Sequence, residues 1–162
     1  MEPFGRTKKT QCEEWVKRDN AVIAPCQHIP FYDLVVDEAK GDILVDLDNN
    51  RYIDFLSSAS SLNIGSRRPE IVQAITEQMN KCIQFSPVYS YNVPMIEYAE
   101  ELVKLFPQKE PGETIMLSYS NCGSEANDAA IKFCRGATKR SKIIAFTNSY
   151  HGNTYGSLTL SA

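Results

Sequence analysis

Three segments between residues 113 and 146 narrow the possible folds more than anything else in the chain. Glu113-Thr114-Ile115-Met116-Leu117-Ser118-Tyr119 is an apolar run of strand length, and Lys142-Ile143-Ile144-Ala145-Phe146 is a second. Between them, apolar residues fall at Ala126, Ala129, Ala130, Phe133, Cys134 and Ala137, the three-four spacing of an amphipathic helix. Strand, helix, strand in that order is a βαβ unit, and it predicts a parallel sheet. Ligands of such sheets bind beyond the carboxyl ends of the strands. Two informative loops, 121–124 and 148–152, lie at those ends.

The first loop turns from strand into helix within Asn121-Cys122-Gly123-Ser124-Glu125. Gly123 lets the backbone bend and another group come close. Ser124 is a good helix N-cap, and its hydroxyl can also reach an anion. The free N–H groups of the first helical turn point at the same spot, and the helix dipole favours negative charge there. These residues read as a phosphate seat. They also read as a plain capped helix, since Gly-Ser before a helix is common. Neither G-x-x-x-x-G-K-[ST] nor G-x-G-x-x-G is present, so a phosphate here belongs to a cofactor other than a nucleotide.

The rest of the chain sets the frame. With 162 residues it can bury one ordinary core. A net charge of −3 and no basic stripe argue against nucleic acid as a partner. No apolar run reaches the length of a membrane span, and residues 1–6 lack an apolar signal core, so a cytoplasmic protein is expected. Cys12, Cys26, Cys82, Cys122 and Cys134 form no C-x-x-C pair, and with only His28 and His151 beside them no metal site is expected. Reduced, mostly buried thiols are.

Residues 10–20 predict a short helix with Trp15 and Val16 on one side. Asp33–Asp37, Asp42–Asp46 and Arg51–Phe55 then predict a three-strand antiparallel meander, with turns at Glu38-Ala39-Lys40-Gly41 and Asp48-Asn49-Asn50. Ser57 to Gly65 is a small-residue loop, either a linker or a pocket wall. Helices are predicted from Pro69 to about Ile83 and from Pro94 to Phe106. The aromatic loop between them, including Tyr89, suits either contact with a ligand or partner or a plug in the core.

Four segments together resemble the class III aminotransferases, pyridoxal-phosphate enzymes of fold type I. They are Gly41–Asp46 with Tyr52–Phe55, Leu62–Gly65 leading to Pro69-Glu70, Asn121–Asn127, and Tyr150–Gly156. The resemblance runs from about Val22 to Ala162. It implies an α/β fold: an N-terminal helix and β-meander belonging to a small domain (residues 1–62), then the first helices and parallel strands of an aspartate-aminotransferase-like large domain (63–162), incomplete. It implies that Cys122, Gly123 and Ser124 take the 5′-phosphate of pyridoxal phosphate. Position 122 is often a second hydroxyl in the family; a thiol donates weakly, so the backbone N–H of Cys122 is the safer contact. Tyr150 would lie flat on the pyridine ring, with His151 and Gly152 shaping the same wall. Ser58, Ala59, Ser60 and Tyr89 would border the substrate. The family often has histidines near 65–69, where this chain has Ser66-Arg67-Arg68.

The resemblance also implies parts not found here. Amino transfer needs a lysine that forms a Schiff base and shuttles a proton, and a carboxylate on the pyridine nitrogen. In the family both lie beyond the His-Gly segment, so no catalytic residue is assigned among these 162, and the chain reads as the N-terminal part of a longer enzyme. Its substrates would be an amine or amino acid, an omega-amino acid such as 4-aminobutyrate among the candidates, and a 2-oxo acid. Its partner would be a second copy in a homodimer. The other reading is a non-catalytic module that keeps half of the cofactor site.

Overall fold

The computed structural model describes residues 4–107 and 110–161. The chain forms two compact units, Met1–Phe85 and Ser86–Ala162.

The first unit is built on an antiparallel sheet in the order β1-β2-β3, with β1 Val36–Lys40, β2 Ile43–Asp46 and β3 Arg51–Ile53. The meander is as expected, but its first strand begins later than the sequence reading had it. Lys40 pairs with Ile43, so the turn is the two residues Gly41-Asp42 and not 38–41. Gly41 takes φ 60°, the positive value that the first position of a type II′ turn requires, and the tight turn wins. A bulge between Val36 and Glu38 absorbs the extra residue. The turn is held from outside. Gly41 and Ser66 exchange two backbone hydrogen bonds of 2.8 Å. Gly65, at φ 82°, lies so close that a Cβ there would stand 2.9 Å from the Gly41 carbonyl oxygen.

The second turn organises the unit through polar groups. Asp46, 1% exposed, accepts on Oδ1 from the N–H groups of Asp48 (3.0 Å) and Asn50 (2.8 Å). Its Oδ2 accepts from Asn50 Nδ2 and from the Tyr52 hydroxyl, both at 2.8 Å. Asp48 faces the other way. Its carboxylate accepts from the N–H groups of Gln11 (2.8 Å) and Cys12 (2.9 Å), the second and third residues of α1, Thr10–Val22. Those N–H groups have no partner inside a helix, and Lys9, at the N-cap, supplies none. Asn50 Oδ1 accepts from the N–H groups of Thr7 (2.8 Å) and Lys8 (2.9 Å). The residue that α1 buries is Cys12, not Trp15. Trp15 is 46% exposed, with the Arg18 guanidinium 4.0 Å from its ring centroid. Residues Ser57–Ser60 form a single turn (α2), and α3 runs Pro69–Lys81 with proline in its first turn.

In the second unit α4, Val93–Lys104, starts at Asn92, whose Oδ1 accepts from Met95 N–H at 3.2 Å. Tyr119 donates its hydroxyl to the Met95 carbonyl (2.7 Å), and its ring lies 6.3 Å from that of Tyr98. Helix α5, Gly123–Thr138, ends on Lys139 at φ 59°, and α6 is the short Tyr155–Leu158. The runs 115–119 and 142–146, expected as parallel strands, belong to no ladder among the described residues. Parallel strands sit inside larger sheets covered on both faces, and here Ile144 is 93% exposed. The apolar stripe of α3, Ile71, Val72, Ile75 and Met79, is exposed as well. The thiols differ from expectation in the same way: all five are free, but only Cys12 is buried. Cys82 and Cys134 lie next to or on helix faces that are open along their length.

Among the described residues no helix is long and apolar enough to cross a membrane. No group of three or more His, Cys, Asp or Glu among them is placed to hold a metal ion.

Candidate functional site

The N-terminus of α5 and the segment after residue 148 meet in the second unit. Gly123 takes no positive φ and is the first residue of the helix. The N-cap is therefore Cys122, extended at φ −155° and ψ 170°, and not Ser124. The Cys122 side chain caps nothing. The first bond within the helix runs from Ala126 N–H to the Cys122 carbonyl at 3.1 Å. The N–H groups of Gly123, Ser124 and Glu125 thus have no acceptor in the helix, and none elsewhere among the described residues. Glu125 folds back to accept from Asn121 N–H and Nδ2, both at 2.9 Å, a variant of the reciprocal capping arrangement.

Ser124 Oγ accepts from Asn153 N–H at 3.3 Å. Its proton has no acceptor among the described residues. Gly152, at φ 123°, is buried against Ser124. A Cβ at 152 would collide with Ser124 Oγ and stand 2.6 Å from Ser124 Cβ. Thr154 Oγ1 donates to the Ser124 carbonyl (3.2 Å), and Asn127 Nδ2 donates to the His151 carbonyl (2.7 Å). A Cβ at Gly156 would collide with Asp128 Oδ1 and approach Ile131. Asp128 Oδ1 is itself buried with no hydrogen-bond partner among the described residues. Ser124, Asn127, Asp128 and Ile131 follow the i, i+3, i+4, i+7 rule, so one face of α5 docks the whole 151–156 segment. That face was missed in the sequence because it is largely polar. The apolar face that periodicity singled out, with Phe133, is exposed.

The structure therefore brings Cys122, Gly123 and Ser124 together with His151 and Gly152. Tyr150 stands next to them in the chain and is 74% exposed. Tyr89 lies in the loop before α4, exposed, its N–H donating to the Ser86 carbonyl at 3.1 Å. Ser58, Ala59 and Ser60 belong to the first unit. They form α2 with Ser57, and all four take positive φ, from 48° to 67°. This is a left-handed turn of non-glycine residues, and each costs about 1–2 kcal/mol. Asp54 Oδ1 holds its entry, accepting from Leu56 N–H (3.0 Å) and Ser57 N–H (2.8 Å). Leu62 N–H closes it onto the Ser57 carbonyl at 2.9 Å. Such strain collects at functional sites, and it gives the run of small side chains a second reason besides room.

The sequence and the fold of the chain both match a known protein family. The family model for class III aminotransferases matches residues 23–162. An isoleucine 2-epimerase of Lentilactobacillus buchneri is 44% identical over 154 residues, covering 95% of this chain and 34% of that protein. A 5-aminovalerate aminotransferase of Pseudomonas aeruginosa is 36% identical over 152 residues, covering 91% of this chain and 34% of that protein. Among solved structures, a taurine:2-oxoglutarate aminotransferase from Bifidobacterium kashiwanohense, in complex with PLP and glutamate, superposes with a TM-score of 0.75 at 30% identity. That match covers 97% of this chain and 33% of the structure. The chain belongs to the class III aminotransferase family. It spans about a third of the length of the relatives it matches.

Proposed function

We propose that this chain is the leading part of a pyridoxal-phosphate enzyme that moves an amino group from an amine or amino acid to a 2-oxo acid. The donor becomes a carbonyl compound and the oxo acid becomes an amino acid. The observation that carries the reading is the start of α5: three N–H groups, at Gly123, Ser124 and Glu125, with no acceptor among the described residues, beside a hydroxyl whose proton has none among them either. This is the donor set a phosphate dianion needs. It fits the phosphate of pyridoxal phosphate, and Gly152 leaves the wall beside it free of side chain. When bound, that cofactor supplies the electron sink for bonds at the substrate carbon. The N–H groups of Gly123, Ser124 and Glu125 and the Ser124 hydroxyl would hold its phosphate, with the backbone N–H of Cys122 beside them; Tyr150, His151 and Gly152 would wall its ring.

In this reading residues 1–62 belong to a small domain and 63–162 open a large one. Ser58, Ala59, Ser60 and Tyr89 border the substrate, and a second copy completes a homodimer. The lysine that bonds to the cofactor is none of the ten here. Lys132 lies eight residues beyond Ser124, roughly 12 Å along the helix.

A second reading, inversion of an amino acid at C2, is supported by the 44% identity to the isoleucine 2-epimerase, against 36% for the aminovalerate enzyme. One experiment separates them. The full-length protein with pyridoxal phosphate is given L-isoleucine, then a panel of amino and omega-amino acids, with and without 2-oxoglutarate, and products are resolved on a chiral column. Transfer yields glutamate in step with donor loss. Epimerisation inverts isoleucine without the oxo acid. Neither product, from any donor, overturns both.

A further inference from the structure

His151 is bonded through its backbone on both sides. Its N–H donates to Ser161 Oγ at 3.0 Å, and its carbonyl accepts from Asn127 Nδ2 at 2.7 Å. Ser161 Oγ also lies 3.3 Å from the Gly152 carbonyl and 3.4 Å from that of Ser157. Two side chains, one from α5 and one from beyond α6, thus converge on a single residue of an otherwise irregular segment. Tyr150, the residue before, has no such support of its own. Its ring is exposed, and its hydroxyl bonds to nothing among the described residues. With no hydrogen bond or ring contact of its own among the described residues, the ring is directed by its own rotamer and backbone, and the anchored neighbour of that backbone is His151.

We propose that Asn127 and Ser161 are positioning residues that clamp the His151 backbone and so fix the tilt of the Tyr150 ring over the cofactor. The inference rests on the pyridoxal-phosphate reading above. Neither side chain is bonded to Gly123 or Ser124 among the described residues; Ser161 also reaches the Gly152 carbonyl, so Asn127 is the variant that best separates ring orientation from cofactor retention. A small rotation at 151 swings a side chain one residue away, and misplacements of about 1 Å at a reacting centre can cost roughly 100-fold.

The test uses the full-length holoenzyme with Asn127→Ala, Asn127→Asp and Ser161→Ala. Asn127→Asp keeps the size, removes the donor, and answers the question if the alanine variant does not fold. The readouts are the visible circular dichroism of the bound cofactor, its retention on dialysis, and kcat and KM separately. The dichroic band is expected to change while retention stays within about twofold. A tilt of the ring is expected to lower kcat, by up to the roughly 100-fold that a misplacement of about 1 Å can cost, with KM little changed. Variants that keep the parent's band and kcat and lose only thermal stability overturn the clamp. A parent protein with no visible cofactor band overturns the cofactor reading itself.

Discussion

Replacing Ser124 with Ala in the full-length protein removes a donor aimed at a dianion and leaves the helix start intact, because Cys122 and not Ser124 is the N-cap. A hydrogen bond to a charged group is worth about 1.5–3 kcal/mol, so cofactor affinity is expected to fall roughly 10- to 150-fold. Equilibrium dialysis of parent and variant measures this, and equal retention would count against a phosphate at this position. The residue types of the seat were legible in the sequence because glycine and serine before a helix carry chemistry at any cap position. Which of them caps was not legible. That depends on whether Gly123 bends out of the helix or enters it, a choice glycine leaves open. The role of Gly152 was hidden too: its need for a missing Cβ comes from Ser124, far away in sequence.

Turn 46–50 and helix α1 behave as one element. Burial pushes the Asp46 carboxyl up, but hydrogen bonds from Asn50, Tyr52 and Asp48 outweigh it and hold it below its ordinary 3.8. Asp48 is likewise lowered, burial opposed by the N–H groups of Cys12 and Gln11. Burial and the bond to Asp46 push the Tyr52 phenol up to about 12, so it remains a donor. For carboxyls held low in the folded state, the unfolded chain takes up protons first as pH falls. Their stabilisation is therefore complete above the ordinary 3.8 and lost below it. Trp15, the one tryptophan and a member of α1, reports on this. Its emission is expected to shift as pH falls below about 4 and through the lowered folded-state values, and a profile flat down to about pH 1 would sink the account. Nothing in Asp46-Leu47-Asp48-Asn49-Asn50 announces burial: the same letters spell a solvated turn. Helices α3 and α5 were legible because Pro69 and the three-four spacing act locally. Strand β1 was misplaced because its register depends on β2.

Across the whole molecule the exposed side chains say most. Ile71, Val72, Ile75 and Met79 form an open stripe on α3, and Met116, Ile144 and Phe146 stand clear of any sheet among the described residues. Contiguous apolar surface of this kind marks an interface or an aggregation site. The 162-residue chain produced alone is expected to bind a hydrophobic dye such as ANS strongly and to elute from a sizing column as large species. A dye-silent monomer with one sharp thermal transition would overturn this. The apolar runs behind these residues were read correctly as runs. Their expected pairing in a parallel sheet is not formed among the described residues, since parallel strands need neighbours on both sides and layers on both faces.

The cap on α1 has a consequence in time. Asp48 is synthesised 36 residues after Cys12, whose N–H it accepts. At about 5–20 residues per second the ribosome takes roughly two to seven seconds to cover that distance. Through that interval the emerging helix has no native acceptor for its first turn. Until residues 46–50 have been made, water alone can serve those N–H groups, and the native cap of α1 is completed only then.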